Sequence, residues 1–191
     1  GGEVRDLYVK ECQIIGKDFV GGIAGRNKGK VSASSCIGGL WGNDNIGGLV
    51  GANGGTIIEC YGIASVSGYS KSGGLVGWNY GIISNSYSSY SVAGNLNVGG
   101  LVGYNWLGGN ISFCYSAGYV RGSLNVGGLV GNNDGNVEKS YWNIQTSGQT
   151  VSAGGIGKTT VQMKQQATYV NWNFISIWAI EEGINYPYLR T

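Results

Sequence analysis

The sequence predicts an all-β, parallel β-solenoid of about five to six coils with a C-terminal cap that contains one short helix. Three observations predict it. Glycine supplies 38 of 191 residues against one proline, yet 42% of residues are hydrophobic and 12% aromatic. A chain so rich in glycine would be disordered without apolar surface to bury; this one has enough to fold around many tight turns. The string Gly-Gly-(Leu/Ile)-(Val/Ala)-Gly begins at Gly21, Gly47, Gly73, Gly99 and Gly127, at intervals of 26, 26, 26 and 28 residues. An asparagine follows each copy at the same distance: Asn27, Asn53, Asn79, Asn105 and Asn133.

Further columns keep the period. A β-branched residue recurs at Val31, Ile57, Ile83, Ile111 and Val137, with a two-residue insertion in the fourth copy. A column of small side chains at near-repeat spacing reads Cys12, Cys36, Cys60, Ser86, Cys114 and Ser140, and from Cys60 onward tyrosine follows it at Tyr61, Tyr87, Tyr115 and Tyr141. A unit of this length holds roughly two or three strands of four or five residues and cannot bury an apolar face alone. Stacking solves this: equivalent residues then sit about 4.8 Å apart in parallel, in-register ladders with the Leu/Val, Ile and Cys/Ser columns inside. Glycine serves corners that need positive φ or close backbone approach, and the asparagine column can form an amide ladder along the axis.

The repeats occupy residues 1–143 and a capping segment residues 144–191. Val4 to Ile15 reads as an incomplete first coil, with Leu7-Tyr8-Val9 as its strand. After Tyr141 the period stops. Trp142 to Gly157 reads as loop, Thr159 or Thr160 as the cap of a helix over Val161 to Tyr169, and the aromatics from Trp172 to Tyr188 as cover for the last coil's apolar end.

Gly-Gly-Leu-Val-Gly-x-Asn, followed by Ile and Ser/Cys-Tyr, resembles the GLUG repeat of bacterial and archaeal surface proteins over roughly residues 16 to 143. Similar arrays occur in large adhesins resembling filamentous haemagglutinin and beside the catalytic domain of immunoglobulin A1-cleaving metallopeptidases. The resemblance implies a right-handed parallel β-helix and an extracellular or cell-surface location. It implies a non-catalytic structural or adhesive role, with other copies of the chain, the rest of a longer surface protein, or a host glycan or protein as partner. The chain begins at Gly1-Gly2 without methionine or signal peptide, so a processed or excised piece is expected.

Little catalytic chemistry is legible. Histidine is absent, which removes Ser-His and Cys-His pairs and most transition-metal sites, and no cofactor is expected. Ser152 to Thr159 imitates a phosphate loop but has serine at the first required glycine. No two Lys or Arg residues are adjacent and the net charge is +2, which argues against nucleic acid; no apolar run suffices to span a membrane. Asp18 and Asp44 each stand three residues before a Gly-Gly, on one column of adjacent coils. They are either solvated turn residues, a weak calcium site, or a retaining carboxylate pair of a polysaccharide-acting enzyme. The cysteines are expected as buried thiols, with Cys12–Cys36 or Cys36–Cys60 as the alternative bridge.

One feature exceeds a scaffold. In the third and fourth copies the turn asparagine is flanked by Trp78 and Tyr80, then by Tyr104 and Trp106, where other copies carry Arg26 and Lys28, Ala52 and Gly54, or Asn132 and Asp134. Four rings on adjacent turns form either an exposed binding patch or a cluster packed on itself or on the C-terminal segment. The second function consistent with the repeats is self-assembly, an uncapped first coil offering an open ladder edge to another subunit as in an extracellular filament.

Overall fold

A computed structural model describes residues 2–190. The chain is a parallel β-solenoid of about five turns, and each coil contributes four or five short strands on four faces where the repeat length suggests two or three. In a middle coil these are Ser70–Gly73, Val76–Asn79, Ile82–Ser84 and Tyr87–Ser88 with Val92–Ala93, which define faces 1 to 4. Faces 1 and 2 have five strands and face 3 has six; on face 4 the pairing runs on from Tyr141–Asn143 to Ile156–Lys158, so one cap strand extends the solenoid sheet.

Stacking is in register through every repeat. Val50 pairs with Val76 and Val76 with Val102, while Ile57, Ile83 and Ile111 align on face 3. Leu49, Leu75, Leu101 and Leu129 are fully buried and form one axial column. Burial of such a side chain contributes about 1.5–3 kcal/mol, and here each column multiplies that contribution by the number of coils.

Glycine and positive φ turn out to be separate devices. In the repeat motif the glycines are needed for close approach: a Cβ on Gly48 would sit 2.2 Å from the carbonyl oxygen of Gly74 in the next coil. Most left-handed positions of the coils instead fall on non-glycine residues in two corner columns, Phe19, Asn45, Lys71, Asn97, Asn125 and Asp6, Ala33, Glu59, Asn85, Phe113, Lys139, with Glu11, Gly38 and Gly108 outside them. The inter-coil hydrogen bonds hold these corners in place, so the local strain is repeated rather than isolated.

The cap differs from its expected form in two ways. Its helix α2 is only Thr160–Met163, closed by a Thr159–Gln162 capping box, and a second short helix, α1 at Ile144–Ser147, lies in the stretch read as loop. The aromatic tail also does not sit on the end of the stack. Trp172, Trp178 and Tyr169 pack with Met163 against Tyr115 and Tyr141 on the outer side of face 4. Trp178 is fully buried, and Tyr115 donates its hydroxyl to the Pro187 carbonyl at 2.7 Å. The end itself is crossed by residues 149–155, where Ser152 Oγ accepts the amides of Leu129 at 3.1 Å and Val130 at 2.9 Å.

Candidate functional site

The asparagine column forms a continuous amide ladder. Nδ2 of Asn27, Asn53, Asn79 and Asn105 donates to Oδ1 of the next asparagine at 2.8, 2.9, 2.7 and 2.8 Å, ending on Asn133. Asn53 and Asn79 are saturated by their own turns as well: Asn79 Nδ2 also donates to the Gly81 carbonyl, and its Oδ1 accepts the Gly81 amide. Buried amides are tolerated only when so satisfied. A second, short ladder, in which Asn125 Nδ2 donates to Asn97 Oδ1 at 2.8 Å, lies on the left-handed corner of face 1.

The small-residue column needs correction. Cys60, Ser86, Cys114 and Ser140 do share one interior position, and the amides of Cys60 and Cys114 donate to Ser86 and Ser140 Oγ at 3.1 Å. Cys36 does not belong to it. The pairing sets Tyr61 opposite Ser35 and Gly62 opposite Cys36, so Ser34 is the rung below Cys60. Cys12 is displaced again by a bulge after Val9 and stands opposite Gly38. The intervals of 24 residues from Cys12 to Cys36 and from Cys36 to Cys60 fall two short of the 26-residue repeat, and that deficit is the register shift; a two-residue change keeps the side chain on the same face. All four cysteines are thiols; burial, reinforced by Cys12, pushes Cys36 up to about 12, and burial does the same for Cys60 and Cys114.

Asp18 and Asp44 are paired in register, as their spacing predicts. The Lys71 ammonium lies 3.0 Å from Asp44, and Asn45 donates to the same carboxylate at 2.7 Å. Asp44 is thus already paired with a cation of the protein itself, and the acidic column ends at Ser70. Among the described residues no group of three or more His, Cys, Asp or Glu residues stands together as a metal site.

The four turn aromatics are brought together, and they pack largely on one another. Ring centroids of Trp78 and Tyr80 lie 5.0 Å apart, Trp78 and Trp106 6.4 Å, and Tyr104 and Trp106 5.2 Å, the last two edge to face. Tyr80 lies across Gly54 of the preceding coil, where a Cβ would be 2.1 Å from its ring. Tyr104 is buried and donates its hydroxyl to Asp134; burial first, and that carboxylate second, push its pKa up to about 12. Only Trp106 is strongly exposed, beside Leu107. Buried Trp78 Nε1 finds no acceptor among the described residues. Of the two alternatives, the rings form the cluster packed on itself, with the Trp106 indole protruding from it. Asp134 and Leu107 were missed, although Asp134 occupies the position flanking the next turn asparagine.

No family model matches the chain, and comparisons with curated proteins and with solved structures find no match either. No helix among the described residues is long and apolar enough to cross a membrane.

Proposed function

We propose that the chain is a non-catalytic structural and adhesive module of a cell-surface or secreted protein, related to GLUG-repeat proteins. The observation that carries this reading is the protruding Trp106–Leu107 tip on a braced aromatic cluster. An exposed indole backed by Trp78 and Tyr104 is a pre-organised anchor, the side-chain type that dominates interface energetics. Retention of the chain on immobilised host glycans and matrix proteins tests it. At least tenfold weaker retention of Trp106→Ala supports the reading, and equal retention of both proteins, or none of either, sinks it.

Self-assembly is the second reading, favoured by the contrast between the ends. The outer edges of Glu3–Arg5 and Tyr8–Ile15 have no ladder partner among the described residues, whereas residues 149–155 cross the opposite end. Negative-stain microscopy with size-exclusion chromatography decides between them. Fibres that persist on dilution favour assembly; discrete particles of 20.0 kDa dismiss it.

A further inference from the structure

The left-handed corner of face 1 carries one column of Phe19, Asn45, Lys71, Asn97 and Asn125. Where asparagine stands on asparagine, the upper Nδ2 donates to the lower Oδ1, as Asn125 does to Asn97. Above Asn45 that donor is missing, because the next rung is Lys71, and Asn45 Oδ1 is buried with no partner among the described residues. The Lys71 ammonium turns instead to Asp44, 3.0 Å from Oδ1 and 3.3 Å from Oδ2. Asn45 Nδ2 donates to the same Oδ2 at 2.7 Å. One carboxylate oxygen thus holds an amine and a carboxamide that belong to neighbouring coils.

The three groups differ in exposure. Asn45 is 2% exposed, and its backbone is wedged between glycines: a Cβ on Gly77 would lie 2.6 Å from its carbonyl carbon and one on Gly51 2.8 Å from its carbonyl oxygen. The Lys71 and Asp44 side chains lie at the rim, 26% and 31% exposed. The carboxamide is therefore held still and shielded from water, while the amine and the carboxylate can still exchange protons. A nucleophile, a carbonyl carbon and a carboxylate that touches both are the parts that acyl transfer from an amide to an amine requires. Because both nitrogens already sit on one oxygen, a side-chain rotation suffices to bring Nζ to the attack distance of about 3–3.5 Å from Asn45 Cγ.

We propose that Lys71 Nζ and Asn45 Cγ join in an isopeptide bond that staples the second repeat to the third, with Asp44 carrying the protons. Asp44 takes a proton from the Lys71 ammonium, and the freed amine attacks Cγ. The bond from Cγ to Nδ2 then breaks. Two of the three ammonium protons pass by way of Asp44 to the departing nitrogen, which leaves as ammonium, and the third stays on the new amide. One cation is consumed and one released, so charge balances without a co-reactant. Burial of Asn45 keeps water from competing for its carbonyl carbon. The N–H of the new amide takes over the place of the ammonium beside Asp44. This staple is separate from the Trp106 cluster and does not rest on the adhesive reading.

Intact-mass spectrometry of the full chain after prolonged incubation at pH 8 tests it. The expected mass is that of the sequence less one ammonia. Lys71 is the sole Lys or Arg between Lys30 and Arg121, so trypsin should leave residues 31–121 as one peptide, and its fragmentation should join Asn45 to Lys71. Lys71→Asn copies Asn97 and Asp44→Ser copies Ser70 on the neighbouring rungs, and both variants should keep the full sequence mass. A parent chain of full mass overturns the proposal even where a variant fails to fold, and so does tryptic cleavage after Lys71. Ammonia loss that persists in Lys71→Asn, as a succinimide at Asn53-Gly54 would give, overturns it too. A link that still forms in Asp44→Ser removes the proton carrier and overturns it as well.

Discussion

The sulfur atoms of Cys12 and Cys36 lie 2.8 Å apart. The bulge after Val9 sets Cys12 opposite Gly38 and turns its thiol inward beside Cys36, so the first two coils meet at a reduced pair ready for closure. Oxidised glutathione should link them: Cys12 displaces one glutathione thiolate, and Cys36 then displaces the second. Closing the intervening loop should add about 3 kcal/mol to stability. Peptide mapping of the oxidised protein checks this. A Cys36–Cys60 bridge, or persistent free thiols, would contradict it.

Cys60 and Cys114 should behave oppositely. Burial raises both from an ordinary value of 9.0 to about 12, so the neutral thiol persists in the folded chain where the unfolded chain ionises. Their contribution to stability is fully present below pH 9 and is lost as pH rises toward 12. Thiol labelling at pH 8 should leave both unmodified until urea unfolds the chain, and Cys60→Ser should soften the alkaline loss of stability. Rapid labelling of either cysteine in the native protein would refute the burial account.

Breaking the amide ladder in its middle should cost more than breaking its end. Asn79→Ala removes a buried amide and leaves Asn105 Oδ1 without its donor, at about 1–3 kcal/mol for a buried group left unpaired, while Asn53 Nδ2 keeps the Gly55 and Ile82 carbonyls. Asn133 serves only one asparagine partner, so Asn133→Ala should be milder. Urea unfolding of both variants provides the comparison, and equal midpoints would show that the column contributes shape rather than hydrogen bonding.

Gly48→Ala should destabilise through crowding alone. The new methyl would meet the Gly74 carbonyl oxygen at 2.2 Å, and backbone cannot step aside without opening the ladder. A loss of about 1–3 kcal/mol or more is expected. A thermal midpoint equal to that of the parent would mean that the coils can slide apart locally.

In Asp134→Asn the Tyr104 hydroxyl should lose its anionic acceptor and titrate below 12, though burial keeps it above the ordinary value of 10.0. NMR of ring-labelled tyrosine follows this directly. No change would assign the whole elevation to burial.

The repeat made the coil, its ladders and its interior columns legible because a strict period fixes which residues coincide in space. Interior columns of Leu, Ile and Asn were therefore readable one by one. Cys36 was misplaced because its 24-residue interval to Cys60 was read as one repeat, whereas a full 26-residue period back from Cys60 lands on Ser34, as the pairing of Tyr61 with Ser35 shows. The cap was the least legible part, since Trp172 and Trp178 bind a flank built from residues far away in sequence, and Trp178 Nε1 reaches Asn85 at 3.3 Å. The aromatic turns were legible as a group, but not their mutual packing, which depends on side-chain angles that no spacing encodes.

The inter-coil hydrogen bonds run along the axis while the strands lie across it, so a tensile load on the two ends falls on one rung at a time. Coils would then peel in sequence rather than shear together. Each 26-residue repeat released would pay out about 90 Å of chain in place of one 4.8 Å rise, so a stack of identical ladders can yield stepwise under force while its remaining coils stay folded.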